Sequence, residues 1–406
     1  MRTSADMATH DAIVIGGGVS GATLAWHAAR AGRKVLWAEK SERLGGCMRT
    51  VRTPEGFWFE LGAHTCYNSY GALLEVLEGL GLLGELQARG KPYMRFLDAG
   101  GLVPGANMGA LFRLLDKWEL LRSLPRLVGA RQEGETVYSH YSRLVGRGNY
   151  GRVLGPILSA VPSQNADAFP ADMLFKKRAR RKDVMRSFTL KRGLATIAEA
   201  VGAAPGVEVR LGAEALRLRQ VAGGFRVELS SGEALEAPVV GLAVTPAAAS
   251  SLLREVAPEA AGLAARVREA VVETVGFAVP VARVSHLPPA TFLIPLDDVF
   301  HSVVTRDPVP DPAWRGFAFH FRPGLPFEER LQRAAAVLGL APGDLTAVTE
   351  RRTVLPSPVL GHQRLVADLD RALVGSRVAL TGNWFAGLSL EDCAQRSRAE
   401  WARVAG

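Results

Sequence analysis

The chain has 406 residues, enough for two domains or for one domain with a large insertion. Apolar residues make up 48% and charged ones 22%, ordinary for a globular protein, and no apolar run reaches the roughly 18 residues that a membrane-spanning helix needs. Net charge is +9, and six positive charges fall in the single run Lys176–Lys182 (KKRARRK), which lacks the aromatic platform of a nucleic-acid binder; nucleic acid is therefore set aside as a partner.

Residues 1–11 carry no hydrophobic region, so no secretory signal is expected. Ile13–Ile15 is an unbroken apolar run, as a buried parallel strand requires, and G-x-G-x-x-G follows at once at Gly16, Gly18 and Gly21. ATLAWHAARAG predicts a helix ending at Gly32, and KVLWA a second strand with Glu39 at its end and Lys40 beside it. Gly16 permits a sharp turn, Gly18 the close approach of a pyrophosphate, and Gly21 the packing of helix on strand. Gly17, Val19 and Ser20 complete the loop, and the helix start points free N–H groups at the phosphate. Glu39 lies at the distance from which an acid accepts the ribose hydroxyls, and its charge disfavours a 2′-phosphate. A dinucleotide site is expected.

The following run, Ser41–Thr50 (SERLGGCMRT), favours FAD over NAD. It adds a second glycine pair, Gly45 and Gly46, where bare backbone can pass close to another part of the cofactor. Arg43 and Arg49 stand on either side, able to neutralise phosphate, with Cys47 between them.

Further along, GALFRLLDKWELLRSLPRLVGA places Leu111, Leu114, Leu115, Trp118 and Leu121 on a helical spacing. A buried stripe is expected there; the alternative is a helix lying on a membrane surface with Trp118 at the interface. For the basic run a solvated helix face or loop is expected, against an anion or membrane-surface contact. Between Pro258 and Pro358 the pattern turns to short β-rich pieces (ETVGFAVPVARV, ATFLIPL, RGFAFHFR), predicting a mixed sheet that lines a substrate pocket. Near the end, Thr381 and Gly382 close a strand. Gly387 then precedes a helix whose first N–H groups, at Leu388, Ser389 and Leu390, would face the anionic end of a reduced flavin. Three scattered cysteines (Cys47, Cys66, Cys393) and eight histidines without ligand spacing give no metal site and suit a reducing, cytoplasmic setting.

The expected fold class is α/β, with a discontinuous Rossmann-like FAD-binding domain, a mixed β-sheet substrate domain and a helical insertion. Residues 1–86, 187–250 and 365–406 are assigned to the first, 87–110 and 251–364 to the second, and 111–186 to the third.

EKSERLGGCMRTVRTPEGFWFELGAH (39–64) resembles the segment after the first βαβ unit in the flavin amine oxidase superfamily, and is most similar to that of protoporphyrinogen and coproporphyrinogen oxidases. The resemblance continues through RFLDAGGLVPG (95–105), SFTLKRGLATIAEAV (187–201), LPSPVLGHQRLVADLD (355–370) and VALTGNWFAGLSLEDCAQRSRAEWA (378–402). It departs at Cys47, where relatives often carry an aromatic, at Ala63, where proline is usual, and at Arg192, in place of a glycine.

The resemblance implies dissociable FAD, since no cysteine falls where some relatives attach flavin covalently. It also implies hydride transfer from a small-molecule substrate to flavin N5, with molecular oxygen or another electron acceptor to follow. Gly62, Ala63, His64 and Thr65 would lie by the flavin, His64 tuning its electronics or gating protons. Asn383 would contact the flavin and Ala215 the adenine side. Arg95 would pair with a substrate carboxylate, while Phe292 and Leu293 would flank a flat ring. A carboxylate-bearing tetrapyrrole is the implied substrate. Amine or amino-acid oxidation, served by an aromatic pair for which Asn383–Phe385 is a partial match, and a carotenoid-type desaturase are the alternatives. Many relatives are peripheral membrane proteins, so a peripheral membrane contact is also implied.

Overall fold

The computed structural model describes residues 10–91, 93–127 and 131–406; the expectation that no signal opens the chain falls mainly on residues 1–9, outside these. Five parallel strands form the central sheet in the order Val207–Arg210, Val35–Ala38, Ala12–Ile15, Val239–Leu242, Val378–Leu380. Every residue of Ala12–Ile15 and Val35–Ala38 is buried, because helices or a small sheet cover both faces; hence their continuous apolar runs. The strand Ala12–Ile15 has its successor on one side and Val239–Leu242 on the other. The strand order reverses there, and the crevice at the carboxyl ends of such strands is where α/β sheets bind ligands.

One face of the sheet is covered by the phosphate-loop helix (Val19–Arg30), the C-terminal helix (Leu390–Ala405) and the helices Gly71–Gly79 and Ala195–Gly202. Ser397 Oγ, on the C-terminal helix, donates to Ser20 O at 2.9 Å, and the buried Glu391 carboxylate accepts from the N–H groups of Ala72 and Leu73, both at 3.0 Å. The last helix of the chain thus caps an early one and locks beside the phosphate loop. The other face is covered by a three-stranded sheet (Ala215–Val221, Gly224–Leu229, Ala234–Ala237) and the helices Pro246–Leu253, Pro258–Ala264 and His362–Ala372. Pro258–Ala264, expected at the head of the β-rich region, is helical and packs into this core instead. Its alanines need a helix's close packing against Leu252, Leu253 and Leu369.

The second large sheet has seven strands, in the order Thr346–Pro356, Glu269–Pro280, Trp314–Phe321, Phe300–Thr305, Phe292–Pro295, Met94–Asp98, Gly101–Leu102. All pairings are antiparallel except that of Phe292–Pro295 with Met94–Asp98, so the sheet is mixed. One face buries Val275, Phe277, Phe317, Phe319 and Phe321 under the helix Phe327–Val337. The opposite face carries Gly276, Ala278, Gly316 and Ala318, against which Phe57, Phe59 and Leu61 pack. A Cβ at Gly276 would lie 2.1 Å from Leu61 Cδ2, and one at Gly316 would lie 2.6 Å from Phe59 Cβ. Bare backbone here seats the hairpin Thr50–Arg52/Trp58–Glu60 on the sheet, which sets the distance between the two halves of the site.

The apolar stripe of the insertion does not form one buried helix. Asp116 accepts from the N–H groups of Trp118 and Glu119, capping a new helix (Lys117–Ser123) and ending the preceding one (Asn107–Leu114). The break rotates the second helix, so that Trp118 is 72% exposed and Leu121 54%, while Leu111, Leu114 and Leu115 stay half-buried. The basic run is a loop, but not a merely solvated one. Lys176 and Arg178 both pair with Oδ1 of the buried Asp392, at 2.9 and 2.7 Å, and Arg181 pairs with Glu78 and Asp183. Among the described residues no helix is long and apolar enough to cross a membrane.

Candidate cofactor and substrate site

The turn at Gly16 has φ +109°, and a Cβ there would lie 2.3 Å from Ala243 O. Gly18, by contrast, is extended (φ −79°, ψ −175°) and caps the helix with its open side outward. Val19 and Ser20 are buried behind it. Glu39 is held at the mouth of the loop: Oε2 accepts from Gly17 N at 2.5 Å and Oε1 from Ser41 N at 2.8 Å. Each oxygen keeps a second lone pair for a ribose hydroxyl. Lys40 points into solvent.

The second glycine pair touches the first. Gly45 N donates to Gly17 O at 2.8 Å, and a Cβ on Gly46 would lie 2.6 Å from Gly18 Cα. Beside it, Ala63 N donates to Cys47 O at 2.9 Å, so the segments 45–47 and 62–64 run together past the loop. Arg43 is exposed and Arg49 half-buried. Arg351, on the edge strand of the seven-stranded sheet, donates to Gly46 O at 2.7 Å. Sequence reasoning missed it, because no local pattern shows that a distant edge strand folds over this turn. Thr65 is half-buried at the far end of the segment, next to Cys66.

The other wall comes from the chain's end. Thr381 is buried and bonded to Ser397 Oγ at 2.9 Å, Gly382 is buried and Asn383 half-buried. The helix starts later than expected: Ser389 is its cap, accepting from Asp392 N at 3.1 Å, so Leu390 is the first helical residue and Leu388 lies in the loop before it. Lys176 Nζ donates to Ala386 O in that loop and to Asp392. The basic run is therefore fastened across the segment facing the cofactor crevice. Burial alone would raise the Asp392 pKa; Ser389, Lys176 and Arg178 outweigh it and hold the carboxyl below its usual value. Ala215 is half-buried at the start of its strand, two residues after Ala213, whose N–H donates to Glu39 O at 2.9 Å. Open backbone at Gly18, an acid at the mouth, and two glycine segments in contact together fit an extended dinucleotide such as FAD.

Trp384 and Phe385 do not face this crevice. They are buried in the core beneath, stacked with ring centres 4.1 Å apart, with Trp384 Nε1 donating to Val244 O and Arg396 lying over Phe385. Burial pushes the thiols of Cys66 and Cys393 up, the latter to about 12, so both are inert.

On the substrate side His64 meets Phe292 edge to face, ring centres 5.4 Å apart. Burial, with Arg89 adding to it, holds its pKa down to about 3, so the imidazole is neutral and Nδ1 lies 3.2 Å from Gly62 O. A neutral ring can relay a proton, but it cannot serve as a fixed cation.

Arg95, Phe292 and Leu293 do not line one pocket. Met94 pairs with Phe292, Arg95 with Leu293 and Phe96 with Ile294, and side chains alternate across the sheet. Phe292, Phe96 and Ile294 share the face that meets His64, whereas Leu293 and Leu97 pack into the opposite core, and Arg95 goes with them. Its guanidinium donates to Pro289 O at 2.9 Å and Gly105 O at 3.1 Å, which ties the hairpin to its neighbour. Arg95 and Leu293, expected to meet the substrate together with Phe292, thus lie on the opposite face of the sheet from it. Beside His64 the structure gathers Trp58, Glu60, Arg89 and Arg306, none of which sequence reasoning selected. They come from three separate segments, and no motif links them.

Comparisons with known proteins agree with this architecture. Residues 14–80 match the NAD(P)-binding Rossmann-like domain family. The chain is 27% identical to human protoporphyrinogen oxidase over 481 aligned positions, covering 97% of this chain and 98% of that protein. Among solved structures, a candidate protoporphyrinogen oxidase from Exiguobacterium sp. 255-15 superposes with TM-score 0.78 at 20% identity, covering 98% of each chain. Putrescine oxidase bound to putrescine does so with TM-score 0.69 at 18% identity, covering 98% of this chain and 99% of that one. Those two likenesses establish a shared fold. With the whole-length similarity to human protoporphyrinogen oxidase and the dinucleotide crevice, they support an FAD-dependent oxidoreductase that is similar to the protoporphyrinogen oxidases of the flavin amine oxidase superfamily.

Proposed function

We propose that the chain dehydrogenates a carboxylate-bearing tetrapyrrole, a porphyrinogen, to the porphyrin. The observation that carries this is the match to human protoporphyrinogen oxidase, which runs along 97% of this chain and 98% of that protein. When bound, FAD supplies a hydride acceptor, with molecular oxygen or another acceptor taking the electrons afterwards. The chain's own residues do the rest. The N–H of Gly18 and those of the helix start at Val19 and Ser20 would hold the pyrophosphate, the N–H groups of Gly16 and Gly17 being donated to Ala38 O and Glu39 Oε2, and Glu39 would hold the ribose. The N–H groups at Ser389 and Leu390, with Lys176 and Arg178 close behind, favour negative charge at the pyrimidine end. Phe292 and the neutral His64, packed edge to face, give the substrate an uncharged wall that excludes water. The burial of Trp384 and Phe385 weighs against amine oxidation, which called for an aromatic pair facing the flavin.

The exposed apolar side chains of Met108, Phe112, Trp118, Leu121 and Leu124, with Arg113, Lys117, Arg122 and Arg126 among them in sequence, support a peripheral seat on an anionic bilayer. The function is tested anaerobically: FAD-loaded protein is mixed with a porphyrinogen and, separately, with amines, and the visible flavin bands are followed. Bleaching by the porphyrinogen is expected. Bleaching by amines alone would refute the proposal.

A further inference from the structure

Next to His64 a small cavity is enclosed by Trp58, Glu60, His64, Arg89, Thr305 and Arg306. Its cations are unusual. Arg89 Nη1 donates to His64 O at 2.9 Å, but Nη2 is buried with no hydrogen-bond partner. Arg306 Nη1 donates to Val309 O at 2.7 Å, while its buried Nε also lacks one. The Arg306 guanidinium lies over Trp58, 4.3 Å from the ring centre, and over Phe57 at 4.9 Å. Neither arginine forms an ion pair among the described residues. Two carboxylates reach these cations by charge: Asp311, which accepts from the N–H groups of Ala313 and Trp314, and Glu60, which accepts from Thr50 Oγ1 and from Leu194 N at 2.7 Å and whose pKa burial raises to about 7. Two guanidiniums taken largely out of water with unmatched N–H groups cost stability unless an anion completes them.

The cavity is continuous with the substrate wall. His64 lines it and meets Phe292, and Val304, which also lines it, is the strand partner of Phe292. Both arginines retain some exposed surface. We propose that Arg89 and Arg306 are the residues that bind a substrate carboxylate, in place of Arg95 on the far face of the sheet. A guanidinium binds a carboxylate through two parallel hydrogen bonds, and the contact of Arg306 with Trp58 holds it in place. The inference rests on the proposed reaction with a carboxylate-bearing substrate.

The test uses FAD-loaded protein titrated calorimetrically with a dicarboxylate porphyrin and with its dimethyl ester, alongside an oxidation assay on the matching porphyrinogens. Wild type should favour the free acid on the order of 10- to 100-fold, as a charged hydrogen-bonded contact allows. Arg89→Gln and Arg306→Gln should each erode that preference and their combination abolish it, with ester binding unchanged. Arg306→Lys should recover part of it, and Arg95→Gln should leave it intact. Equal binding of acid and ester by wild type, or a preference that survives the double substitution, overturns the inference whatever the catalytic result. A preference that is present and arginine-dependent, without porphyrinogen oxidation, removes the proposed reaction and leaves the carboxylate site standing. Binding of neither porphyrin removes both.

Discussion

Replacing Gly18 by alanine separates folding from cofactor binding in the phosphate loop. Its backbone is in a conformation that any residue adopts, and an added Cβ would find only Gly46 Cα, at 3.8 Å. The protein without FAD therefore tolerates the methyl, and the reduced freedom of the unfolded chain stabilises it by about 0.4–1 kcal/mol. That methyl stands on the open side of the loop, where a pyrophosphate oxygen must come within about 3 Å of backbone N–H groups. Losing one such charge-assisted bond costs about 1.5–3 kcal/mol, so FAD affinity should fall on the order of 10- to 100-fold. Gly21→Ala is the counterpart. Its Cβ would lie 1.8 Å from Gly16 O and 2.9 Å from Trp37 Nε1, which donates to that same oxygen at 2.9 Å. Overpacking of this kind costs about 1–3 kcal/mol, and the strained hydrogen bond adds to it. Thermal melts without FAD, and FAD titrations followed by flavin fluorescence, distinguish the two. Gly18→Ala should melt at or above wild type and bind FAD weakly, while Gly21→Ala should melt lower at every FAD concentration. Wild-type FAD affinity in Gly18→Ala would refute the placement of the pyrophosphate on this loop.

Asp392→Asn leaves Lys176 and Arg178 without their carboxylate. Because both cations are partly exposed, the cost should be about 1–3 kcal/mol, with earlier proteolytic cleavage in the 175–185 loop; an unchanged digestion pattern would contradict the fastening role. Burial lowers the pKa of His27, His301 and His320 to about 4 and that of His64 to about 3, so the folded state stays unprotonated while the unfolded chain takes up protons below about pH 6.5. The stability these groups contribute is complete above that pH and declines as pH falls toward 4. Denaturant midpoints should hold between pH 8 and about 6.5 and fall from there to pH 5, and a profile flat over the whole range would count against buried neutral histidines. Trp118→Ser with Leu121→Ser should abolish sedimentation with anionic vesicles while leaving flavin absorbance intact; undiminished sedimentation would remove the membrane proposal.

The cofactor crevice was legible because each of its parts is local: strand, glycine turn, helix and acid fall within one stretch of chain, and Gly45 and Gly46 follow directly. The β-rich character of the seven-stranded sheet was visible for the same reason, in runs such as Glu269–Pro280 and Trp314–Phe321. Facing was not legible. Whether Arg95 or Phe96 points to the cofactor depends on the register with Phe292–Pro295, residues nearly two hundred positions away. Likewise, the apolar spacing of 111–121 reads as one helix until Asp116 is seen to cap a second. Arg89, Arg306 and Arg351 are ordinary arginines in sequence, and only folding brings them to glycine backbone or to a cavity whose one lining acid, Glu60, is already hydrogen-bonded.

The central claim is that the loop near the start of the chain and the strand and helix at its end grip one FAD together. It is tested most directly by the visible spectrum and flavin content of the purified protein, before and after denaturation. One FAD per chain, released intact on unfolding, is the predicted result. A colourless protein that takes up no FAD from a large excess would contradict the account.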